Sequence, residues 1–303
     1  MVRHGRKVLL TGGAGFMGSA VAHALVRAGH DVRVLDLLTY AGDRGNLAGL
    51  TVDFVHGDVA DPGLVAPLVG ASDLVIHMAA ETHVARSLED AAPFVHSNVE
   101  GTRVVLEACA RARVALVHVS TDEVFGPAAR GMSFRTDAPF RPTNPYAATK
   151  AAAEHLVAAW RASRGFSARV VRCVNNFGPR QHEEKAIPGW IARGRRGEAL
   201  PLHGRGEAVR DWLHVADFAA AMTRIAAYEG PRQVFHLAGR QERTNREVAT
   251  FLAERLGVGV VEVPDRPGQD ARYALDDAGT RADLDWAPRV GLEEGLETLL
   301  AAS

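Results

Sequence analysis

Over roughly the first 175 residues short apolar runs alternate with amphipathic segments, a glycine-rich turn joins the first such pair, and the rhythm changes after Pro179. Together these features predict an α/β protein: a doubly wound, Rossmann-type parallel sheet with a smaller C-terminal domain that would hold a substrate. Residues 8–10, 32–35, 52–55, 74–76, 115–117 and 168–171 read as strands; 19–28, 63–69, 94–112 and 146–163 read as helices. The strands are continuous apolar runs, as burial on both faces of a parallel sheet requires. The first domain is placed at 1–175 and the second mainly at 176–303, with room for some later segments to return to the first. In that second part Pro188, Pro201, Pro231, Pro264 and Pro267 punctuate shorter, more polar stretches. These would pack over the carboxyl ends of the strands, where open α/β sheets bind ligands.

At 303 residues, with 47% hydrophobic and 23% charged residues, the chain has ample core material for one large unit or two joined domains. A formal net charge of −1 argues against nucleic-acid and membrane partners. Cys109 and Cys173 are the only cysteines and neither belongs to a CxxC pair, so neither a disulfide framework nor a metal site is expected. The basic stretch 2–7 is followed only by Val8-Leu9-Leu10 before Thr11-Gly12 interrupts. A secretory core needs roughly 7–15 apolar residues and a membrane span about 20. The expectation is a cytoplasmic protein.

Gly12, Gly15 and Gly18 have G-x-x-G-x-x-G spacing in Thr11-Gly12-Gly13-Ala14-Gly15-Phe16-Met17-Gly18, between the first strand and first helix. Such glycines permit a tight turn, let backbone N–H groups approach a pyrophosphate, and allow close helix–strand packing. The helix N-terminus adds unpaired donors and a positive dipole end. Asp36 ends the second strand about where a ribose-binding acid is expected and would favour NAD over NADP by repelling a 2′-phosphate; an ordinary turn aspartate is the alternative. Asp58 ends the third strand, either as an adenine contact or as a turn cap.

Ser120-Thr121-Asp122-Glu123 places two adjacent carboxyls where the buried strand 115–117 runs out. Adjacent buried acids are costly without a chemical reason. One such reason is removal of a proton at carbon and delivery of another at a neighbouring oxygen, as in water elimination. Downstream, Tyr146 and Lys150 share a helix face, being four apart, with Asn144-Pro145 as the helix entry. An adjacent ammonium would pull the tyrosine pKa down toward neutrality. His77 and His118 read as satisfied core histidines.

With these motifs the chain resembles the extended short-chain dehydrogenase/reductases, and within them the dTDP-glucose 4,6-dehydratases. The resemblance runs nearly end to end, through His77–Val84, Asn175–Gln181, Glu184-Lys185, Val209–Trp212 and Arg266-Pro267-Gly268. It implies a nicotinamide cofactor, NAD, against Gly12, Gly15, Phe16, Met17, Gly18, Asp36, Asp58, Val59, Ala79, Ala80, Ser120, Tyr146 and Lys150. It implies catalysis by Thr121, Asp122, Glu123, Tyr146 and Lys150: C4 oxidation, loss of water across C5 and C6, and hydride return to C6. A nucleotide-sugar would be held by His83, Thr121, Asn175, Glu184, Lys185, His203, Arg210 and Arg266. A homodimer through helices 94–112 and 146–163 is also implied.

Asp122 distinguishes this reading from decarboxylases, which carry serine there, and from epimerases, which lack the acid pair; both remain alternatives, as does a non-catalytic binding module. Against the family pattern His203 replaces tyrosine, Gln269 histidine, Ala271 arginine, Ala85 aspartate and Glu183 proline. None of these departures touches the redox or elimination groups, but all bear on which nucleotide and sugar are accepted.

Overall fold

The computed structural model describes residues 5–302 other than 266 and 269. Arg266 and Gln269, both singled out from sequence, therefore lie outside the described residues. The chain begins β1 (Lys7–Thr11), α1 (Phe16–Arg27), β2 (Asp31–Asp36), β3 (Asp53–His56), α2 (Pro62–Gly70), β4 (Leu74–His77), α3 (Val84–Glu89) and α4 (Ala92–Phe94). It continues α5 (Gly101–Ala112), β5 (Ala115–Thr121), α6 (Pro145–Arg164), β6 (Ala168–Cys173), β7 (Asn175–Phe177), α7 (Ala186–Arg195) and β8 (Leu200–His203). The remainder is β9 (Val209–His214), α8 (Val215–Ala227), β10 (Val234–Leu237), β11 (Glu242–Thr244), α9 (Asn245–Leu256), β12 (Val260–Val263), α10 (Ala278–Leu284) and α11 (Leu292–Ala301).

Seven parallel strands form the main sheet in the order β10-β6-β5-β4-β1-β2-β3. Chain order reverses between β1 and β4, which opens a crevice at the carboxyl ends of those two strands. Their apolar runs are buried on both faces: Val8, Leu9, Leu10, Val75 and Ile76 are at most 1% exposed. Each contributes roughly 1.5–3 kcal/mol of transfer free energy. One face is covered by α1 and α8, through Val21, Leu25, Phe218 and Met222. The other is covered by α2 and α5, through Val65, Leu68, Val105 and Leu106.

The later half has a core of its own, in which Phe177, Trp190, Leu202, Trp212, Leu252 and Leu296 meet. Around it stand a three-stranded sheet, β11-β9-β7, and a two-stranded one, β12-β8. Residues Val234–Leu237 return to the main sheet as β10, beside β6. Between α4 and α5 the helix widens into a π turn over Val95–Glu100, where the sequence predicts regular helix. The wide turn delivers Asn98, whose amide bonds both backbone atoms of Glu81 and the Thr149 hydroxyl. Insertions of this kind recur where a helix must aim one side chain. No helix among the described residues is long and apolar enough to cross a membrane.

Candidate active site

A cleft of about 320 Å³ opens over the carboxyl ends of β1, β4 and β5. Its floor begins at the glycine turn. Gly12 has φ +71°, and a Cβ there would lie 2.6 Å from the Ala79 nitrogen. A Cβ on Gly18 would lie 2.0 Å from the Gly12 oxygen, so the helix can meet the turn only because residue 18 is glycine. On Gly15 it would meet nothing closer than 3.5 Å, which leaves bare backbone facing the cleft. The first turn of α1 carries neither a side-chain cap nor an acid, so its N–H groups stay available to an anion. These features fit a dinucleotide pyrophosphate.

Asp36 caps the second strand beside that turn. Its carboxylate accepts from Ala14 N at 2.8 Å and Leu38 N at 2.9 Å, fixing its place on the cleft wall. Asp58 and Val59 line the same wall, and Asp58 accepts from Ala60 N at 2.8 Å while His96 Nε2 lies 2.8 Å away. Ala79 and Ala80 follow β4. The Thr11 hydroxyl holds this corner, accepting from Met78 N and Ala79 N at 3.2 Å and contacting His77 Nδ1 at 2.7 Å. His77 also reaches the Thr102 hydroxyl at 3.1 Å and is satisfied as expected. His118 is not: both ring nitrogens are buried without a hydrogen-bond partner among the described residues.

β5 delivers Ser120 and Thr121 to the cleft, and a single helical turn after it carries Asp122 and Glu123. Asn144 accepts from Ala147 N at 2.8 Å as N-cap of α6, so Tyr146 and Lys150 start from a fixed helix end. Tyr146 N donates to the Ser87 hydroxyl at 3.3 Å. Lys150 Nζ donates to Val119 O at 2.7 Å, and burial lowers its pKa to about 8. Burial, reinforced by Glu123, raises the Tyr146 phenol well above its ordinary value. This corrects the lowering expected from the Tyr-x-x-x-Lys spacing: desolvation dominates, and the ammonium is turned to a backbone carbonyl.

The two acids are held differently. Asp122 Oδ1 accepts from the Thr121 hydroxyl at 3.2 Å, while Oδ2 is buried without a partner among the described residues. Burial and the neighbouring Glu123 charge push its pKa up to about 8. Glu123 is also raised by burial, but the Asn144 amide and the Arg210 and Lys185 cations oppose that rise. Asn144 Nδ2 lies 3.2 Å from Glu123 Oε2, and the Tyr273 hydroxyl donates to the same oxygen at 3.4 Å. Burial thus raises both carboxyls, but only Glu123 has an amide donor and two cations working against the rise. Asn144 and Tyr273 were not identified as site residues from sequence. Only the helix-entry role of Asn144 was legible, and Tyr273 is 150 residues from its partner.

Asn175, Glu184 and Lys185 line the opposite wall. Glu184 stands 3.6 Å from Arg86 Nη2 and 3.7 Å from Lys185 Nζ, with His83 Nε2 at 3.9 Å. Lys185 Nζ donates to Thr82 O at 3.2 Å. Arg210 is buried and tied to carbonyls: Nη1 donates to Val209 O at 2.8 Å and Nη2 to Asp270 O at 2.9 Å, over the Tyr273 ring. His203 Nδ1 lies 2.8 Å from Pro264 O, away from the cleft lining. No cluster of metal-ligating side chains occurs among the described residues.

A switch-point cleft with a glycine cradle, a Tyr/Lys helix face and an acid pair defines a class of nucleotide-cofactor enzymes. Residues 8–248 match the NAD dependent epimerase/dehydratase family, and the chain belongs to it. It is 42% identical to the dTDP-glucose 4,6-dehydratase of Streptomyces niveus, over 96% of this chain and 90% of that one. The crystal structure of DesIV (dTDP-glucose 4,6-dehydratase) from Streptomyces venezuelae with NAD and TYD bound superposes with a TM-score of 0.93 at 39% identity, covering 97% and 95% of the two chains. The UDP-glucose 4-epimerase of Thermus thermophilus, in complex with NAD, superposes at 0.90 with 31% identity, covering 98% and 100%.

Proposed function

We propose that this protein is an NAD-dependent NDP-hexose 4,6-dehydratase that converts dTDP-glucose to dTDP-4-keto-6-deoxyglucose. The observation that carries this reading is the pair Asp122 and Glu123, adjacent in sequence and held by different partners, on the same cleft as the glycine turn. An epimerase has no use for such a pair.

Gly12, Gly15 and Gly18, the first amides of α1 and Asp36 would hold the dinucleotide, with Ala79, Ala80 and Lys150 along its path. Bound NAD would supply a reversible hydride acceptor, so that the sugar's oxidation at C4 and reduction at C6 leave no net redox change. Tyr146 removes the 4-hydroxyl proton as C4 is oxidised, and Thr121 hydrogen-bonds the ketone oxygen. That ketone acidifies the C5 hydrogen, which Glu123 abstracts, while Asp122 protonates the departing 6-hydroxyl. Lys150, on the same helix face as Tyr146 and lining the same cleft, would hold the nicotinamide ribose.

Asn175, Glu184, Lys185 and His83 would face the nucleotide-sugar. Arg210 acts at one remove, by bracing the 270–273 segment. The protein works in the cytoplasm as a homodimer. Two free buried thiols, Cys109 and Cys173, suit a reducing compartment. The second copy would pack against α5 and α6.

The test is to incubate purified protein with dTDP-glucose, UDP-glucose and UDP-N-acetylglucosamine and look by mass spectrometry for loss of one water. Turnover of dTDP-glucose is expected. Failure with every hexose nucleotide, despite bound NAD, sinks the proposal. Light scattering checks the dimer, and a clean monomer contradicts it.

A further inference from the structure

The segment 270–276 belongs to no helix and makes only isolated strand bridges, Val209 with Arg272 and Phe134 with Leu275. It is nonetheless stitched on both sides. Val209 N donates to Ala271 O at 2.8 Å, Ala128 N to Arg272 O at 2.8 Å and Phe134 N to Ala274 O at 2.9 Å. The Thr143 hydroxyl donates to Asp270 Oδ2 at 2.8 Å. From this strap Tyr273, only 3% exposed, reaches the acid pair and donates to Glu123 Oε2 at 3.4 Å.

On the dehydratase reading above, we propose that Arg272 is a positioning residue for the elimination base: it clamps the strap so that the Tyr273 hydroxyl stays on Glu123. The Arg272 guanidinium makes four hydrogen bonds to two other parts of the chain. Nε and Nη2 donate to the two oxygens of Glu242 on β11. Nη1 donates to Ala129 O at 2.8 Å and Met132 O at 2.7 Å, on the loop that follows the acid pair. A planar fork suits this load, because it meets a carboxylate bidentately and still has donors for the carbonyls. The Arg272 side chain is 13% exposed and that of Glu242 40%. The pair is therefore bidentate and partly shielded, unlike the exposed pairs that contribute little.

The bond that the clamp protects has little slack. Oxygen donors and acceptors typically lie about 2.7–2.8 Å apart and no longer bond at about 3.6 Å. From 3.4 Å a retreat of a few tenths of an ångström would release Glu123. Burial, and after it the Glu123 charge, raises the Tyr273 pKa, so the phenol stays protonated and meets the carboxylate as a donor. Arg210, 4.7 Å over the Tyr273 ring, braces the other end of the strap through Asp270 O. Arg272 supplies the tie to the loop and to β11.

Pre-steady-state turnover of dTDP-glucose by the holoenzyme tests the clamp, with NADH absorbance reporting oxidation at C4 and chemical quench reporting the 6-deoxy product. Tyr273→Phe, which removes the hydroxyl alone, should slow elimination about three- to tenfold and leave oxidation at its wild-type rate. Arg272→Ala should do the same. The double variant should be no slower than the worse single one, because both changes remove the same contact. Glu242→Ala, on the more exposed side of the clamp, serves as a second variant should Arg272→Ala not fold. It should slow elimination about two- to threefold, and only while the Tyr273 hydroxyl is present.

Elimination and oxidation slowed equally in Arg272→Ala overturn the clamp. So do losses that multiply in the double variant, a Tyr273→Phe that eliminates at the wild-type rate, or a Glu242→Ala loss that persists in the Tyr273→Phe background. A wild type that makes no 4-keto-6-deoxy product from any hexose nucleotide overturns the dehydratase reading and the clamp with it; wild-type turnover with losses that multiply overturns the clamp alone.

Discussion

Replacing Asn144 with alanine should slow elimination, spare oxidation at C4, and loosen the helix that carries Tyr146. Asn144 Oδ1 caps α6 at 2.8 Å, and its Nδ2 lies 3.2 Å from both Glu123 Oε2 and Gly268 O. Losing an N-cap costs about 1 kcal/mol of stability. Losing a hydrogen bond to a charged group costs roughly 1.5–3 kcal/mol, or about 10- to 100-fold in the step that needs the Glu123 anion. Asn144→Asp separates the two effects: aspartate keeps the cap but sets a second carboxylate against Glu123. It should retain most of the stability and lose elimination at least as severely. Stopped-flow NADH absorbance reports oxidation, chemical quench reports the 6-deoxy product, and urea unfolding reports the cap. If Asn144→Ala lowers stability while the ratio of elimination to oxidation stays at the wild-type value, Asn144 is a cap and nothing more.

The elimination step should fall about tenfold per pH unit above pH 8, because Asp122 holds its proton up to about 8; a flat profile from about 7 to 10 refutes its role as acid. The same raised value means the folded state binds this proton more tightly than the unfolded chain. Stability contributed by Asp122 is therefore present near pH 4 and lost as pH climbs toward 8, and Asp122→Asn should remove that slope. Asp122→Asn should also keep C4 oxidation while 6-deoxy product collapses. Glu154→Ala should cost about 3–5 kcal/mol in urea unfolding, since it strands Arg172, which is buried and held by Glu154 at 2.7–3.0 Å; a loss below about 1 kcal/mol would show that the Thr136 carbonyl and the flanking Phe125 and Phe140 rings suffice. Gly18→Ala should abolish NAD retention on gel filtration, because the new Cβ would stand 2.0 Å from the Gly12 oxygen; a variant that still carries NAD through the column contradicts the cradle.

The glycine turn, the first six strands of the main sheet and the acid pair were legible because each is written in a few consecutive residues. Buried parallel strands need unbroken apolar runs, and a turn that brings backbone to a phosphate needs glycine. What was hidden depends on distant parts of the chain meeting. Glu123 takes one partner 21 residues away and another 150 residues away, and no local pattern marks either. The fate of Arg210 turned on the carbonyl of Asp270, 60 residues on. Spacing suggested a lowered Tyr146 pKa, but the depth of burial that reverses the shift is a property of the packed cleft. The π turn that aims Asn98 left no mark in a stretch that reads as ordinary helix.

The hold on Glu123 has a consequence for how the protein is made. Its carboxylate is gripped by Asn144 and Tyr273, while Gly268 anchors Asn144 from the other side. A chain emerging from the ribosome completes the glycine turn, Asp36, Tyr146 and Lys150 long before residue 273 exists. The parts assigned to oxidation are therefore synthesised first, and the grip on the elimination base comes nearly last. A change near residue 273 could therefore loosen the elimination base while leaving the glycine turn, Asp36 and Lys150 untouched.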